Sequence, residues 1–508
     1  MQFLRAALQT VTRAIIPAIL LASQLVCTAH ADDNTTTLIV SGELTGNDHE
    51  SYIEVPFEVP PGITRITVSV DYERENRTVV DLGLFDPERF RGWSGGSKTN
   101  FTIAESDATP SYLPGPITPG MWTLVLGVPN IRDNSVAQYR AEILLESGIG
   151  AATRPFADAG LDNTPGWYRG ELHAHTGHSD GSCQSQSGAS VPCPVYRSVE
   201  AAAALGLDFL AITEHNATSH HQSLRELQIA FDKMVLISGR EITTFFGHAN
   251  IFGTTAFIDF RAARDEMNSV LSAIGDSGAL VSLNHPGLPS GEACMGCGWV
   301  ADTDYSVVHA VEIVNGSVID SSNGQIYGPL SGIPLWENLL NQGYRITGVA
   351  GTDNHNADLN EASNRRSALG QITTVIDSAS LSQPDLLEGI KLGRVFIDLD
   401  ASSDRVLDMQ ATSADQIAAM GGVLQAGSGN EIDITIRIVN APDSNIVVYR
   451  NGVALTTGID YTRSDNLITA HARFTSEGQQ EWFRAEVIDQ KDGRVLMLSN
   501  PIYVNFPE

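Results

Sequence analysis

Two histidines separated by one residue, His173 and His175, follow a strand-like segment that begins at Trp167. Residues i and i+2 of an extended chain point to the same side, so this pair could hold one metal ion. A single His-x-His pair is weak support, because two histidines on one face are often only polar surface. Whether the pair belongs to a metal site therefore depends on ligand-type residues elsewhere in the chain.

Ligand-type residues recur along the central part of the chain, where ten of the 13 histidines fall between residues 173 and 355. Most of them stand where a predicted strand ends, together with carboxylates. The candidate ligands are His173, His175, Asp180, His215, Glu241, His248, His285, Asp353 and His355. Mixed imidazole and carboxylate donors suit Zn, Mn or Fe, whereas Ca and Mg prefer oxygen alone. The pattern predicts a transition-metal site.

The segments that carry these residues alternate between strand and helix patterns over residues 167–400. Predicted strands are 168–173, 208–213, 234–237, 280–283, 307–314, 345–350 and 371–376. Predicted helices are 199–205, 223–233, 260–274, 334–342 and 384–392. Repeated strand–helix units indicate a parallel sheet, and this number of units suggests a closed barrel, with an open doubly wound sheet as the alternative. In a parallel barrel the loops after the strands share one rim, where these side chains would converge.

The regions on either side of this segment have short alternating apolar and polar runs with Pro, Gly and Asn between them. Such patterns predict all-β sandwich or jelly-roll domains. We therefore divide the chain into a signal peptide at 1–31, an N-terminal β domain at 32–158, the central α/β domain at 159–400 and a C-terminal β-sandwich at 401–508.

Composition limits the partners of this chain of 508 residues. Its formal net charge of -29 argues against nucleic acid and anionic membranes, which require clustered Lys and Arg. Residues 1–31 have two arginines, an apolar stretch and the sequence Ala29-His30-Ala31, which predicts a cleaved signal peptide and a secreted or periplasmic protein. A small-molecule substrate is expected, with no membrane association after cleavage, and the sequence does not predict an oligomeric state.

Four cysteines remain after the predicted cleavage site. Because exported proteins meet an oxidising environment, we expect disulfides that join Cys183 to Cys193 and Cys294 to Cys297. The alternative is a structural zinc held by all four thiolates. A thioredoxin-type redox pair is disfavoured, because Cys294 and Cys297 lie in a glycine-rich loop that opens no helix.

The motifs together resemble those of the PHP (polymerase and histidinol phosphatase) superfamily. They are His173-x-His175 with Asp180, 213–216, 239–241, His285-Pro286 and Asp353-x-His355, and the flanking segments 92–96 and 500–504 resemble the carbaryl-hydrolase-like branch. The resemblance implies a distorted (β/α)7 barrel with two or three divalent metal ions. It places His173, His175, Glu241 and Asp353 on the first ion, Glu241, His248 and His285 on the second, and Asp180, His215 and His355 on the third. Glu214 departs from the aspartate common in the superfamily.

A metal site of this kind would supply a metal-bridging hydroxide as a nucleophile. Phosphomonoester or phosphodiester hydrolysis is the first hypothesis, with Glu241, Asp353 and Arg240 as catalytic residues and Arg365 and Arg366 as further phosphate-binding candidates. The second hypothesis is carbamate, ester or amide hydrolysis. The third, of another class, is a secreted binding protein with a metal-stabilised barrel.

Overall fold

The computed structural model describes residues 31–32, 34–292, 294–359, 365–455 and 458–507. The predicted signal peptide lies outside the described residues except for Ala31, which pairs with Thr36 at the start of the first sheet. Among the described residues, no helix is both long and apolar enough to cross a bilayer.

The N-terminal region consists of nine strands in two antiparallel sheets. The strands are β1 (Ala31–Asp32), β2 (Thr35–Thr45), β3 (Ser51–Val59), β4 (Ile63–Tyr72), β5 (Val79–Phe85), β6 (Phe90–Ser94), β7 (Asn100–Ala104), β8 (Gly120–Asn130) and β9 (Val136–Ser147). The sheet orders are β1-β2-β9-β4-β7 and β3-β8-β5-β6. Apolar residues alternate along these strands, and Phe101, Trp122 and Ile143 from the two sheets share one buried core.

The central region contains the described α-helices and the strands between them. The strands are β10 (Gly166–Glu171), β11 (Ser182–Gln184), β12 (Ser190–Pro192), β13 (Phe209–Ile212), β14 (Val235–Thr243), β15 (His248–Phe252), β16 (Leu280–Leu283), β17 (Ala310–Asn315), β18 (Thr347–Gly351), β19 (Thr373–Ser378) and β20 (Val395–Asp398). The helices are α1 (Val195–Ala204), α2 (His220–Gln228), α3 (Met267–Asp276), α4 (Gly316–Ser321), α5 (Ile333–Asn341) and α6 (Gln383–Lys391). Short 3-10 helices span Gly46–Asp48, Glu75–Arg77, Ile149–Thr153 and Tyr305–Val307.

The C-terminal region adds eleven strands. They are β21 (Val406–Ser413), β22 (Gln416–Ala419), β23 (Val423–Leu424), β24 (Glu431–Val439), β25 (Ser444–Arg450), β26 (Val453–Leu455), β27 (Ile459–Arg463), β28 (Leu467–Thr475), β29 (Glu481–Asp489), β30 (Val495–Ser499) and β31 (Ile502–Val504). Five of them form a separate sheet in the order β22-β21-β24-β28-β27, while β30 pairs with β20 and so extends the central sheet.

The predicted α/β fold class with a (β/α)7 barrel is wrong. The structure is mostly β, with 43% strand, 14% helix and only six α-helices among the described residues. One mixed sheet runs in the order β18-β17-β16-β15-β14-β13-β10-β19-β20 and continues through β30, β29, β25 and β26. On the side away from β13, the neighbour of β10 is thus β19, and β18 is the first strand of this order.

Two features explain why the strand–helix pattern misled the prediction. The strand β15 was not foreseen; it runs antiparallel between β14 and β16 and follows β14 through a short turn instead of a helix. At the other side of β10, the pairs β10–β19, β19–β20 and β20–β30 are also antiparallel. A (β/α)7 barrel requires parallel neighbours joined by helical crossovers, and strand direction is set by non-local hydrogen bonds that periodicity does not report.

Candidate metal centre

The candidate ligands stand at one end of the central strands. β10, β13 and β14 run parallel to one another, and so do β16, β17 and β18. The segments that follow these strands therefore begin at the same end of the sheet. Single bridges join Ala174 to Asn354 and His215 to Glu241. These bridges bring the histidines after β10 next to the residues after β18, and the histidine after β13 next to β14.

The antiparallel strand β15 contributes its first residue rather than its last. His248 pairs with Thr243, the last residue of β14, because the hairpin reverses the chain there. Gly247 in this turn has a φ of 146°, and an added Cβ would lie 2.2 Å from the Trp299 ring. The tight turn therefore needs glycine, and it places His248 at the same end of the sheet as the other candidates.

Glu241 is the centre of the cluster and is completely buried. Its two carboxylate oxygens lie within 3.6 Å of imidazole nitrogens from five histidines, namely His173 (3.6 Å), His175 (3.6 Å), His215 (2.7 Å), His248 (3.2 Å) and His285 (3.4 Å). These rings come from four different segments of the chain. A single carboxylate that faces so many imidazole nitrogens is the kind of group that could hold a metal ion together with them.

Asp353 forms the second acidic position. Its Oδ1 lies 3.3 Å from Nε2 of His173, 3.3 Å from Nε2 of His175 and 3.5 Å from Nδ1 of His355. The backbone of Asp353 has a φ of 55°, and that of His285 has a φ of 27°. Positive φ is uncommon for residues other than glycine and is enriched at functional sites, where the surrounding structure maintains it.

A third acidic position is more open to solvent. Asp180 approaches His215 at 3.7 Å and His355 at 3.4 Å, and its side chain is 56% exposed. The rings of His215 and His355 each stack on that of His175, with centroid distances of 4.3 and 4.2 Å. This outer group is therefore continuous with the buried one through His175.

Several groups of His, Asp and Glu side chains could hold a metal ion, as their ligand atoms lie within 4.8 Å of one another. All nine candidate ligands from the sequence fall within these groups. The groups are His173–His175–Glu241, His173–His285–Asp353, His215–Glu241–His248, His175–Asp180–His215–His355 and, with one cysteine, His248–His285–Cys297. The last group contains a residue that was not among the predicted ligands.

Several of the candidate ligand atoms have no hydrogen-bond partner, as expected of atoms that bind a cation. Nε2 of His173, both ring nitrogens of His175, Oε2 of Glu241 and Nδ1 of His285 are buried without a hydrogen-bond partner. Buried polar atoms are normally hydrogen-bonded, so a group of buried nitrogen and oxygen atoms without partners indicates that a further atom or ion binds between them. The residues present thus fit a metal ion.

Electrostatics favours the ionised form of the two central carboxylates and the neutral form of one histidine. Burial by itself raises the pKa of Glu241, but the surrounding imidazoles, His173 foremost, outweigh burial and hold that pKa well below its usual value. The pKa of Asp353 is likewise held low against burial, mainly by His173. Burial lowers the pKa of His175 to about 4, so its ring is neutral at pH 7. Ionised carboxylates and neutral imidazole are the forms that bind metals. Against the lowering by burial, nearby carboxylates raise the pKa values of His173, His215 and His285. These rings would therefore release protons when a metal ion binds.

Sequence reasoning missed two buried carboxylates that orient the candidate ligands. Oε1 of Glu312 lies 3.0 Å from Nδ1 of His173, while its Oε2 accepts a hydrogen bond from the backbone N–H of His285 (2.9 Å). Glu171 accepts from the backbone N–H of His173 and of Thr352, both at 2.9 Å, which ties the end of β10 to the end of β18. Burial raises the pKa of Glu171 to about 7. The available signal was a lone acid within an apolar strand, as Glu312 is.

The cluster lies at the base of a cavity of about 830 Å³. Besides candidate ligands, its lining includes Leu288, Pro289, Glu292, Met295 and Ser317. Among the described residues that line it there is no Lys or Arg. The cavity is large enough for a small organic molecule, and the charge on its wall is acidic apart from the histidines.

The predicted arginines lie elsewhere. Arg240 is adjacent to Glu241 on β14 and therefore points to the opposite face, where its Nη2 donates to the backbone oxygen of Ala256 (2.5 Å). Burial lowers the pKa of Arg240 to about 10. Arg365 and the backbone N–H of Arg366 are both held by Asp320. None of the three lines the cavity above the cluster.

The cysteines form the two predicted pairs. The Cα atoms are 5.0 Å apart for Cys183 and Cys193 and 5.6 Å apart for Cys294 and Cys297, both within the range for disulfides. The alternative of one zinc ion held by all four thiolates finds no support in the described residues, because no group of cysteines occurs among the potential metal sites.

Comparisons with protein-family models, curated proteins and solved structures return no match to this chain. The superfamily resemblance of the motifs therefore stays a prediction, and the functional argument depends on the site itself.

Proposed function

We propose that this protein is a metal-dependent hydrolase whose active site is the cluster around Glu241. The observation that carries the proposal is the position of Glu241: a fully buried carboxylate within 3.6 Å of five imidazole nitrogens, beneath an open cavity. A cluster that served only the stability of the fold would not need a cavity of this size above it. Phosphoester hydrolysis is the first candidate reaction.

The proposed roles of the side chains follow from how deeply each one is buried. Glu241 and Asp353 would hold divalent transition-metal ions together with the buried histidines, and such ions supply Lewis acidity and an activated water nucleophile. Asp180 is half-exposed at the cavity mouth and is placed to transfer a proton between the cavity and solvent. Leu288, Pro289 and Met295 offer apolar contact to the remainder of a substrate.

Carboxylic ester or carbamate hydrolysis is the second candidate, and the lining of the cavity favours it. A phosphate monoester carries two negative charges that proteins commonly bind with Arg or Lys. The described lining residues include neither, so only metal ions and neutral donors would meet that charge. A phosphodiester or a neutral ester requires less compensation than a phosphomonoester.

The test is to purify the mature protein, measure its bound metals by mass spectrometry and assay it with three substrates. Nitrophenyl phosphate, bis-nitrophenyl phosphate and a naphthyl carbamate separate the candidates. We expect turnover that chelation abolishes and that Zn, Mn or Fe restores. Metal content and turnover should both be lost in Glu241→Gln and retained in Glu388→Gln, an exposed position on α6 that undergoes the same chemical change.

The outcomes are separable. Hydrolysis of a phosphoester supports the first candidate, and hydrolysis of the carbamate alone supports the second. Stoichiometric metal without turnover of any of the three substrates contradicts the hydrolase and favours a binding protein that uses the metals as a scaffold. Full turnover in Glu241→Gln would contradict the assignment of the active site.

A further inference from the structure

A cysteine lies beside the cluster, next to two of its histidines. Ring nitrogens of His248 and His285 and the sulfur of Cys297 lie within 4.8 Å of one another. All three residues are buried, with relative exposures of 3%, 3% and 0%. Two imidazoles and a thiolate form a ligand set that suits zinc and other thiophilic transition metals.

We propose that Cys294 and Cys297 form a redox switch, which in its reduced state supplies the Cys297 thiolate as a metal ligand beside His248 and His285. In the oxidised state the same sulfur is bonded to Cys294 and is lost to the metal. The proposal depends on the metal centre described above but not on the reaction that the centre catalyses.

The loop that carries the cysteines is held against the cluster by hydrogen bonds. Its backbone oxygen at Met295 lies 3.2 Å from Nε2 of His248, and the N–H of Gly296 donates to Oγ of Ser290 at 2.8 Å. Gly296 has a φ of 78°, and a Cβ there would lie 1.9 Å from the backbone oxygen of Thr244. The approach of the loop therefore requires glycine, and it places the sulfur of Cys297 beside the cluster.

Two arrangements of Cys297 exclude each other. Its Cα lies 5.6 Å from that of Cys294, which permits a disulfide, and a disulfide sulfur has no thiolate to offer a metal. The two cysteines also differ in access. Cys294 is partly exposed in the loop that lines the cavity, whereas Cys297 is completely buried. A reductant from solvent therefore reaches the sulfur of Cys294 first.

The exchange balances with a dithiol as the reductant. One thiolate of the dithiol attacks Sγ of Cys294, the bond to Cys297 breaks, and Cys297 leaves as a thiolate next to His248 and His285. The second thiol of the dithiol then breaks the mixed disulfide, passes its proton to Cys294 and leaves as a cyclic disulfide. Two electrons thus pass from the dithiol to the protein, and a disulfide oxidant reverses the reaction.

Cobalt provides a direct measurement that does not depend on turnover. The full mature protein is stripped of metal and loaded with Co²⁺, once in the oxidised form and once after reduction by a dithiol that is then removed under argon. We expect thiolate-to-cobalt charge-transfer absorption in the near ultraviolet only in the reduced protein. We also expect the reduced protein to bind Co²⁺ about tenfold or more tightly than the oxidised one, the scale on which changes at a metal site act.

Three variants assign the signal. Cys294→Ser leaves Cys297 without a partner and should show the absorption without any reductant, while Cys297→Ser should lack it in both states. The double variant Cys183→Ser/Cys193→Ser serves as the matched control and should respond to the dithiol as the natural protein does. If Cys297→Ser fails to fold, the contrast between Cys294→Ser and the oxidised natural protein still tests the proposal.

Two results overturn the switch and leave the metal centre intact. One is cobalt bound with ligand-field bands but without thiolate absorption in any state, and the other is the same absorption in the oxidised and reduced forms. Absence of cobalt binding in every form contradicts the proposed metal centre itself and the switch with it.

Discussion

Replacement of Glu312 by glutamine tests whether a residue outside the candidate ligands controls metal binding at the proposed site. Oε1 of Glu312 lies 3.0 Å from Nδ1 of His173, and its Oε2 accepts from the backbone N–H of His285 and from Nδ2 of Asn315, both at 2.9 Å. The carboxylate therefore holds a proton on Nδ1 of His173 and directs Nε2 towards Asp353 and Glu241, so Nε2 is the nitrogen that a metal ion would bind.

A glutamine at this position has one acceptor oxygen in place of two. If that oxygen serves His285 and Asn315, its NH₂ group faces Nδ1 of His173, and the ring proton must move to Nε2, the nitrogen that would bind metal. The outer partner of a ligating histidine is typically worth a factor of about 10 to 100 in metal affinity. That corresponds to about 1.4–2.7 kcal/mol of binding free energy.

Competition with a chromophoric chelator measures this loss. Metal-free Glu312→Gln and the surface control Glu388→Gln are titrated with Zn²⁺ in parallel with the natural protein. Circular dichroism and urea unfolding of the metal-free forms establish that the variant is folded. A folded Glu312→Gln protein that binds Zn²⁺ within twofold of the natural protein would refute the tautomer argument.

Two further predictions concern stability in metal-free protein. Asp107→Asn leaves the buried guanidinium groups of Arg65 and Arg225 without the carboxylate that pairs with both, so urea unfolding should show a loss of about 3–5 kcal/mol, whereas the exposed control Asp133→Asn should show almost none. Burial lowers the pKa of His220 to about 3, so below its ordinary value of 6.5 the unfolded chain binds a proton that the folded protein does not. This residue should therefore leave stability unaffected above pH 6.5 and lower the free energy of unfolding by about 1.4 kcal/mol per pH unit as the pH decreases. Between pH 6.5 and 4.5, His220→Gln should reduce the dependence of the unfolding free energy on pH by the equivalent of one proton. An unchanged pH dependence would contradict the lowered pKa of His220.

The identity of the candidate ligands could be predicted because each depends on local information. A histidine or carboxylate directly after an apolar strand is visible in the sequence, and the ends of neighbouring strands lie close in space whether or not the sheet closes. Six of the nine candidates need only this rule, since they closely follow strands that were foreseen, whereas Asp180 lies well beyond the end of β10 and depends on the motif resemblance. Glu241 lies within β14, and His248 opens a strand that was not foreseen.

The direction of side chains and strands could not be predicted in the same way. Arg240 was proposed as catalytic because it adjoins Glu241 in sequence, with the alternative that strand alternation turns it to the opposite face. The structure supports the alternative, since its guanidinium donates to the backbone oxygen of Ala256. The role of Glu312 could not be predicted, because it depends on the contact with His173, which lies 139 residues away in the chain. For Cys297 the sequence predicted a disulfide or, as the alternative, a zinc ion held by four thiolates, because its proximity to His248 and His285 exists only in the folded loop.

The sequence by itself determined the types of donor atom and the strands that end beside most of them, and it favoured the two cysteine pairs, because these follow from composition, periodicity and short separations. Only the tertiary structure decided that the central strands form a mixed sheet instead of a (β/α)7 barrel, that no arginine among the described residues lines the cavity, and that a cysteine adjoins the candidate metal ligands. These features depend on hydrogen bonds and contacts between segments far apart in the chain. Local patterns report whether a residue is buried, but not which distant residue it meets.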